Sequence, residues 1–123
     1  MTESVSDKVM LPPIFFEWLS TVRRLPMFDV WRQGTLCSVK IVHVLDLSDT
    51  RLNIFIHRSR LKGVYPDSFL PLAYDGFGNL LLWDIAEGGI YLHWRGTSSE
   101  NPVKVATSLE ALCNKLYYRP IQG

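Results

Sequence analysis

The sequence predicts an α+β fold: a single domain in which a largely antiparallel β-sheet is flanked by an N-terminal and a C-terminal helix. Apolar residues recur at helical spacing near both ends of the chain, and the middle holds apolar and β-branched runs separated by short turns. The length, 123 residues, is that of one domain and not of two. Strands joined by short loops pair antiparallel, and helices then cover the sheet.

The first predicted helix follows Leu11-Pro12-Pro13, because proline is tolerated in the first turn of a helix. Pro26 ends it. Its apolar residues fall on one stripe that faces a core, namely Ile14, Phe15, Trp18, Leu19 and Val22. We expect residues 1–10 to be a flexible lead-in and residues 11–118 to form the domain.

Two strands are predicted in the middle of the chain. Residues 35–47 are rich in β-branched and apolar residues, and residues 53–57 form a second, short run. Residues 58–68 contain Gly63 and Pro66, which indicates a loop or a short turn of helix. In the longer strand the odd-numbered positions are the more apolar face and should meet the core: Cys37, Val39, Ile41, His43, Leu45 and Leu47.

Residues 69–95 predict a tight turn followed by a hairpin. The turn occupies residues 75–79, a strand runs over 80–85, and a second strand returns over 90–95 after a glycine-rich turn. A polar loop over 96–102 leads to the last helix. Thr107 and Glu110 are spaced as a capping box. The residues that follow mark one apolar helical face: Leu109, Leu112, Cys113 and Leu116.

Residues 69–84 read FLPLAYDGFGNLLLWD and resemble the central motif of the SUKH superfamily, the Smi/Knr-type domain. Leu11-Pro12, the hairpin return at 89–91 and the final helix at 108–112 match the family in the same order, so the likeness covers about residues 11–117. The family often has a glycine pair soon after the first helix, where this chain has only Gly34. The shared motif residues are Pro71, Ala73, Asp75, Gly76, Gly78 and Asn79.

The resemblance implies an α+β domain and, for many bacterial members, the role of a small cytoplasmic immunity protein that binds and blocks a toxin. Other members are regulatory scaffolds. Five motif residues are expected to serve the fold. The Asp75 carboxylate suits an Asx-type hydrogen bond in the turn, and the Asn79 amide is placed to pair with a neighbouring loop. The other three are Pro71, Gly76 and Gly78.

Charge and composition exclude several classes of function. Thirteen Lys and Arg against twelve Asp and Glu give a net charge of +1, so the chain lacks the basic excess of a nucleic-acid or membrane-surface binder. The N-terminus shows no basic segment before an apolar one, and no run of 18 apolar residues occurs, so we expect a cytoplasmic protein. Cys37 and Cys113 form no CxxC motif and are expected to be reduced, packed thiols.

Catalytic signals are weak throughout the sequence. His43, His57 and His93 lack metal-ligand spacing, and neither GxSxG nor a Walker motif occurs. Asp75 and Asp84 are the nearest candidates for paired carboxylates, and the turn explains Asp75. We therefore predict no catalytic residue, no metal site and no cofactor.

The predicted hairpin carries the strongest candidates for partner binding. Tyr91, His93 and Arg95 share one face of the return strand, and tyrosine and arginine are enriched at protein interfaces. The alternative is that the polar side chains are merely solvated and that the tryptophans fill the core. The candidate residues are Trp83, Asp84, Glu87, Tyr91, His93 and Arg95.

These observations favour a protein that acts by binding and not by catalysis: an immunity protein that caps a cognate toxin. The expected partner is a protein, with no membrane and no direct nucleic-acid contact. A regulatory scaffold is the first alternative. A small ligand-binding protein or hydrolase is the second, and it would need a deep pocket in which histidine and carboxylate groups converge.

Overall fold

A six-stranded antiparallel sheet, with its strands in the spatial order of the sequence, organises the protein. A computed structural model describes residues 11–96 and 102–118. The strands are β1 (Met27–Arg32), β2 (Thr35–Val44), β3 (Phe69–Asp75), β4 (Leu80–Asp84), β5 (Ile90–His93) and β6 (Val103–Ala106). The helices in these residues are α1 (Pro13–Thr21), α2 (Ile54–Ser59) and α3 (Leu109–Lys115). The α+β class is confirmed, whereas the prediction for residues 1–10 lies outside the described residues.

Helix α1 begins where the proline pair predicts and buries the predicted stripe. Phe15 and Trp18 are fully buried, and Val22 is buried in the 3₁₀ turn Val22–Arg24 that follows. Leu25 then takes a left-handed conformation with φ of 55° and ends the helical segment just before Pro26. At nine residues α1 is the longest helix, and none in the described residues has the length and hydropathy of a membrane-spanning segment.

Strand β1 has no counterpart in the sequence prediction. It pairs with β2 through a two-residue turn, Gln33-Gly34, whose φ angles of 53° and 81° are both positive, as in a type I′ hairpin. Pro26 and Asp29 obscured the alternation of the strand. The X-Gly pair between Trp31 and Leu36 was the signal that could have identified the hairpin.

Strand β2 confirms most of the predicted strand, but only three of the six residues predicted for its core face are buried, because Cys37 is half-buried and Leu47 is exposed. Val39, Ile41 and Leu45 are buried as predicted, but His43 is exposed. A β-bulge between Ile41 and His43 shifts the register against β3 and turns His43 away from the core.

The predicted strand at residues 53–57 is wrong, because this segment is helix α2. The Asn53 side chain accepts hydrogen bonds from the backbone N–H groups of Phe55 and Ile56, which caps the helix N-terminus. Ile54 and His57 are buried at helical spacing. Periodicity cannot distinguish a strand from a helix in a run of three apolar residues, and the capping residue Asn53 was the signal that indicated a helix.

The predicted hairpin is present as β4 and β5, and two details at the C-terminal side differ from prediction. Strand β6 was not predicted. Helix α3 begins one residue later than the capping box suggests, because the Ser108 hydroxyl, not that of Thr107, accepts from the Ala111 N–H at 3.0 Å. Leu109 and Leu112 are buried, which confirms the apolar face.

The core lies between one face of the sheet and helices α1 and α3. Phe15 of α1 stacks on Trp83 of β4 with ring centroids 6.3 Å apart and an interplanar angle of 2°. Strand β4 is buried along its whole length, so the opposite face of the sheet is covered as well. We call that opposite face the outer face. Tyr65, from the segment after α2, packs there on Phe69.

Candidate interaction surface

The candidate residues of the predicted hairpin do not form one surface. Trp83 and Asp84 are only 4% and 6% exposed. Trp83 fills the core against Phe15, and the Asp84 carboxylate accepts the Ala86 N–H in the following turn at 3.1 Å. Neither side chain is available to a partner, so both leave the candidate set.

Tyr91 and His93 lie on the outer face, where they are half-buried in an aromatic cluster. The Tyr91 ring is 5.4 Å from that of Phe69, and the Tyr65 ring meets His93 edge-on at 5.7 Å. A hydrogen bond joins the Tyr65 hydroxyl to Nδ1 of His93. Burial raises the pKa of Tyr65. Tyr91 and His93 are therefore not simply solvated side chains, because they belong to a packed aromatic cluster. Their role in partner binding stays a prediction.

Glu87 and Arg95 lie at opposite ends of the sheet. Glu87 is exposed in the turn between β4 and β5, whereas Arg95 follows β5 at its other end. We call the end that holds Arg95 the hairpin end, because the β1–β2 and β3–β4 turns also lie there. Arg95 thus belongs with residues from other strands and not with Glu87.

The β3–β4 turn at the hairpin end is held by a buried carboxylate. Asp75 accepts the backbone N–H groups of Phe77 and Asn79 at 2.9 and 2.8 Å, and the Asn79 side-chain amide at 2.8 Å. The Asx-type hydrogen bond predicted for Asp75 is therefore present. With three N–H donors on its two oxygens, this carboxylate holds the turn rigid and is not poised as a base.

The same turn positions Arg95. The Asn79 side-chain oxygen accepts the backbone N–H of Arg95 at 2.7 Å, which is the predicted contact with a neighbouring loop. Gly78 has φ of +85°, and a Cβ atom there would be 3.0 Å from Cδ of Arg95. The positive φ favours glycine at this position, and the Arg95 side chain lies directly over the turn.

A cleft of about 390 Å³ opens at the hairpin end. Its lining comes from residues 32–39, 75–79 and 94–95. The guanidinium of Arg32 lies over the ring of Trp94 at 4.1 Å, and Arg95 lies beside it in the chain. Arg32, Phe77 and Trp94 were not singled out from the sequence, because their proximity depends on the unpredicted β1–β2 hairpin.

Large apolar side chains are exposed at the hairpin end, at the cleft and on the other face of the β1–β2 pair. Phe77, at the tip of the β3–β4 turn, is 81% exposed and lines the cleft. Trp31 and Leu36 are 66% and 51% exposed and face each other across the β1–β2 pair. Because side chains alternate along a strand, both point to the face of the β1–β2 pair opposite to that of the cleft residues Arg32 and Cys37. Aromatic, apolar and arginine side chains in this arrangement are typical of residues that dominate protein interfaces.

A hydrogen-bond network ties the β1–β2 hairpin to the C-terminal segment of the described residues. The Asp29 carboxylate accepts from the hydroxyls of Ser38 and Tyr117, at 3.0 and 2.6 Å. The backbone of Tyr117 also pairs with that of Met27 at the edge of β1. This network joins the β1–β2 hairpin to the segment after α3 and limits its movement.

The histidines lie apart from one another. His57 is buried and joins α2 to β3: its Nε2 donates to the Arg51 carbonyl at 2.7 Å, and its Nδ1 is 3.0 Å from the Tyr74 hydroxyl. Burial raises the pKa of Tyr74, and the charge of Arg60 lowers it to a smaller extent. Within the described residues no group of three or more His, Cys, Asp or Glu side chains could hold a metal ion.

Both cysteines are free thiols, as predicted. Cys37 lines the cleft, with its Sγ 3.8 Å from the Thr35 carbonyl. Cys113 lies on α3, where burial, and then the negative charge of Glu17, raise the pKa of its thiol. The two thiols thus occupy different environments.

Comparisons with known proteins give no relative from which a function could be transferred. No protein-family model matches the chain, no curated protein matches it, and no solved structure matches it. A function must therefore be inferred from the residues of this chain, and above all from the surface at the hairpin end.

Proposed function

We propose that the protein is a SUKH-type immunity protein that binds a cognate bacterial toxin and neutralises it by steric capping. The observation that carries the proposal is the exposed apolar rim of the hairpin end, formed by Trp31 and Leu36 on one face of the β1–β2 pair and by Phe77 at the arginine-bearing cleft. Buried, such side chains supply most of the affinity of a protein interface. The motif over residues 69–84, which resembles the SUKH superfamily, supplies the identity of the partner class.

The rim is built on a rigid support, which favours binding without rearrangement. The β3–β4 turn is fixed by the buried Asp75 carboxylate, and the β1–β2 hairpin is tied to Tyr117 through Asp29. Pre-formed surfaces lose little conformational entropy on binding. Steric capping needs roughly 800 Å² of buried surface on each partner, so neighbouring polar residues would complete the interface.

A ligand-binding role is the second candidate, and the cleft is the observation that favours it. A volume of about 390 Å³ falls within the range of small-molecule pockets. Hydrolase chemistry has less support there, because Asp75 is the one carboxylate in the described lining and three N–H groups engage it. A regulatory scaffold would use the same apolar rim on a different partner.

Co-expression with a toxin tests the proposal. The C-terminal domain of a polymorphic toxin encoded by the adjacent gene is produced in cells with and without this protein. We expect restored growth and a stable complex on size-exclusion chromatography. Absence of both rescue and complex would overturn the immunity role.

Surface variants test whether the rim carries the binding. Phe77→Ala together with Trp31→Ala should weaken the complex by at least about 100-fold, since interface aromatics each contribute about 2 kcal/mol or more. Val64→Ala is the matched control, because Val64 is also 66% exposed but belongs to the segment that precedes β3. Loss of binding in the control and not in the double variant would place the interface elsewhere.

A further inference from the structure

Two arginines from different parts of the sheet meet at the cleft of the hairpin end. Arg32 ends β1 and stacks on Trp94, while Arg95 follows β5 and lies over Gly78. A guanidinium stacks by its face and carries its N–H donors in the plane of the group. Planar donors of this kind match a carboxylate.

The charge of the cleft favours a single negative charge on the ligand. The charged residues in its lining are Arg32, Arg95 and Asp75, which sum to +1. The Asp75 carboxylate is engaged by N–H groups of its own turn, yet its charge remains in the lining. Attraction to this charge grows in proportion to the ligand charge, whereas the cost of removing the ligand from water grows with roughly the square of that charge. A net charge of +1 therefore offsets this cost better for a monoanion than for a dianionic phosphate.

The walls of the cleft favour an apolar group next to that charge. The Trp94 ring forms one wall, and the Phe77 ring at the entrance is 81% exposed. Covering Phe77 removes a large apolar surface from water, which favours binding. Arginine donors beside the exposed Phe77 ring therefore suit a carboxylate that is carried on an apolar or aromatic segment.

We propose that the cleft between Arg32 and Arg95 binds an aspartate or glutamate side chain that projects from an apolar surface segment of a protein partner. The identity of that partner as a toxin rests on the proposed function, but recognition of the carboxylate does not. The ligand class is thus an acidic, apolar peptide element and not a phosphate.

Titration with small probes tests the recognition without the partner. ¹H–¹⁵N spectra of the full chain are recorded with N-acetylphenylalanine (a monoanion), with its neutral amide, and with phenyl phosphate. We expect the monoanion to shift the Arg95 and Phe77 amides and the Trp94 indole signal, and to bind at least several-fold more tightly than the other two. Equal binding of the amide would show a purely apolar site, tighter binding of phenyl phosphate would show a phosphate site, and no shift at all would show no site. Each of these three outcomes would overturn the proposal.

Charge variants assign the contacts. Arg32→Gln and Arg95→Gln should each raise the dissociation constant for N-acetylphenylalanine about tenfold, as expected for loss of a charge-assisted hydrogen bond. Arg23→Gln is the matched control, because Arg23 is exposed in the 3₁₀ turn before β1 and its removal changes the net charge equally. A uniform loss in all three variants would mean that net charge, not the cleft, governs binding.

Thermal unfolding of each variant separates lost binding from lost fold. Arg32→Gln could lower the melting temperature, because Arg32 stacks on Trp94. In that case the Arg95→Gln variant is the one that tests the contact with the carboxylate. A wild-type protein that binds N-acetylphenylalanine but rescues no toxin would contradict the immunity role alone. A protein that rescues growth with no effect of the arginine variants would contradict the carboxylate site alone.

Discussion

The two turns that flank β4 show how similar sequences serve different purposes. The β3–β4 turn and the β4–β5 turn are both short and glycine-containing, and each is preceded by a buried aspartate, Asp75 or Asp84. Asp75 binds three N–H groups of its turn, whereas the Asp84 side chain accepts the Ala86 N–H. The first turn presents an apolar ring, Phe77, beside Arg95, and the second presents the solvated carboxylate of Glu87.

On the proposed function, this difference indicates that the candidate binding surface is marked by apolar exposure on a rigid support and not by polar residues on a hairpin. The sequence favoured the β4–β5 hairpin because its residues are aromatic and charged. In the structure those aromatics pack against the core or each other, and the two most exposed aromatic side chains of the described residues, Phe77 and Trp31, lie at the opposite end of the sheet. Exposure is a property of the assembled sheet, so composition alone did not locate it.

The largest effect is expected from exchanging two tryptophans for alanine. Trp83→Ala should lower the free energy of unfolding by about 4 kcal/mol, because it removes a core ring that stacks on Phe15. Trp31→Ala should change it by less than about 0.5 kcal/mol, because the ring is 66% exposed. Urea denaturation measures both. Similar losses in the two variants would contradict the division between core and surface drawn here.

The two turn aspartates give the next largest effect. Asp75→Ala should lower the free energy of unfolding by about 3 kcal/mol, since it leaves buried N–H groups of Asn79 without an acceptor. Asp84→Ala should cost about 1 kcal/mol, in line with its hydrogen bond to a part-buried turn amide.

Urea denaturation at pH 7 compares the two aspartate variants with the wild-type chain. Equal m-values are needed for the comparison, because a changed slope would indicate a change in the unfolded state. A larger loss in Asp84→Ala than in Asp75→Ala would reverse the roles assigned to the turns.

Local patterns were enough to predict much of the sheet and its helices. The glycine-containing turns at residues 75–79 and 87–89 predicted β4 and β5, and apolar spacing predicted α1 and α3. Residues 53–57 failed because a short apolar run fits a helix and a strand equally, and the Asn53 cap decided between them. Local sequence thus predicts secondary structure correctly where turn and cap residues are considered together with periodicity.

The cleft could not be predicted from the sequence, for a different physical reason. Its lining joins residues 32–39, 75–79 and 94–95, and their adjacency depends on the register of β1 on β2 and of β2 on β3. The β2–β3 register contains a bulge that no local pattern predicts. Arg95 was selected from the sequence, but its neighbours Arg32 and Phe77 follow only from long-range pairing.

The smallest expected effect is a difference in alkylation rate between the two cysteines. It compares the cleft, which Cys37 lines, with helix α3, which carries Cys113. The thiolate is the species that reacts with iodoacetamide. Burial, and then the charge of Glu17, raise the pKa of Cys113, so less of this thiol is ionised near neutral pH. Cys37 lines an open cleft. We expect iodoacetamide to modify Cys37 several-fold faster at pH 7.5, measured by mass spectrometry of peptides.

The pH dependence and a protection experiment sharpen this comparison. Because its pKa is raised, Cys113 should continue to gain reactivity as the pH rises above the ordinary range of a thiol.

N-acetylphenylalanine in the cleft should slow the alkylation of Cys37 and leave that of Cys113 unchanged, with Cys37→Ser and Cys113→Ser variants as single-thiol controls. Protection of Cys113, or of neither thiol, would mean that the probe binds away from the cleft, and the hairpin end would lose its distinction from the rest of the surface.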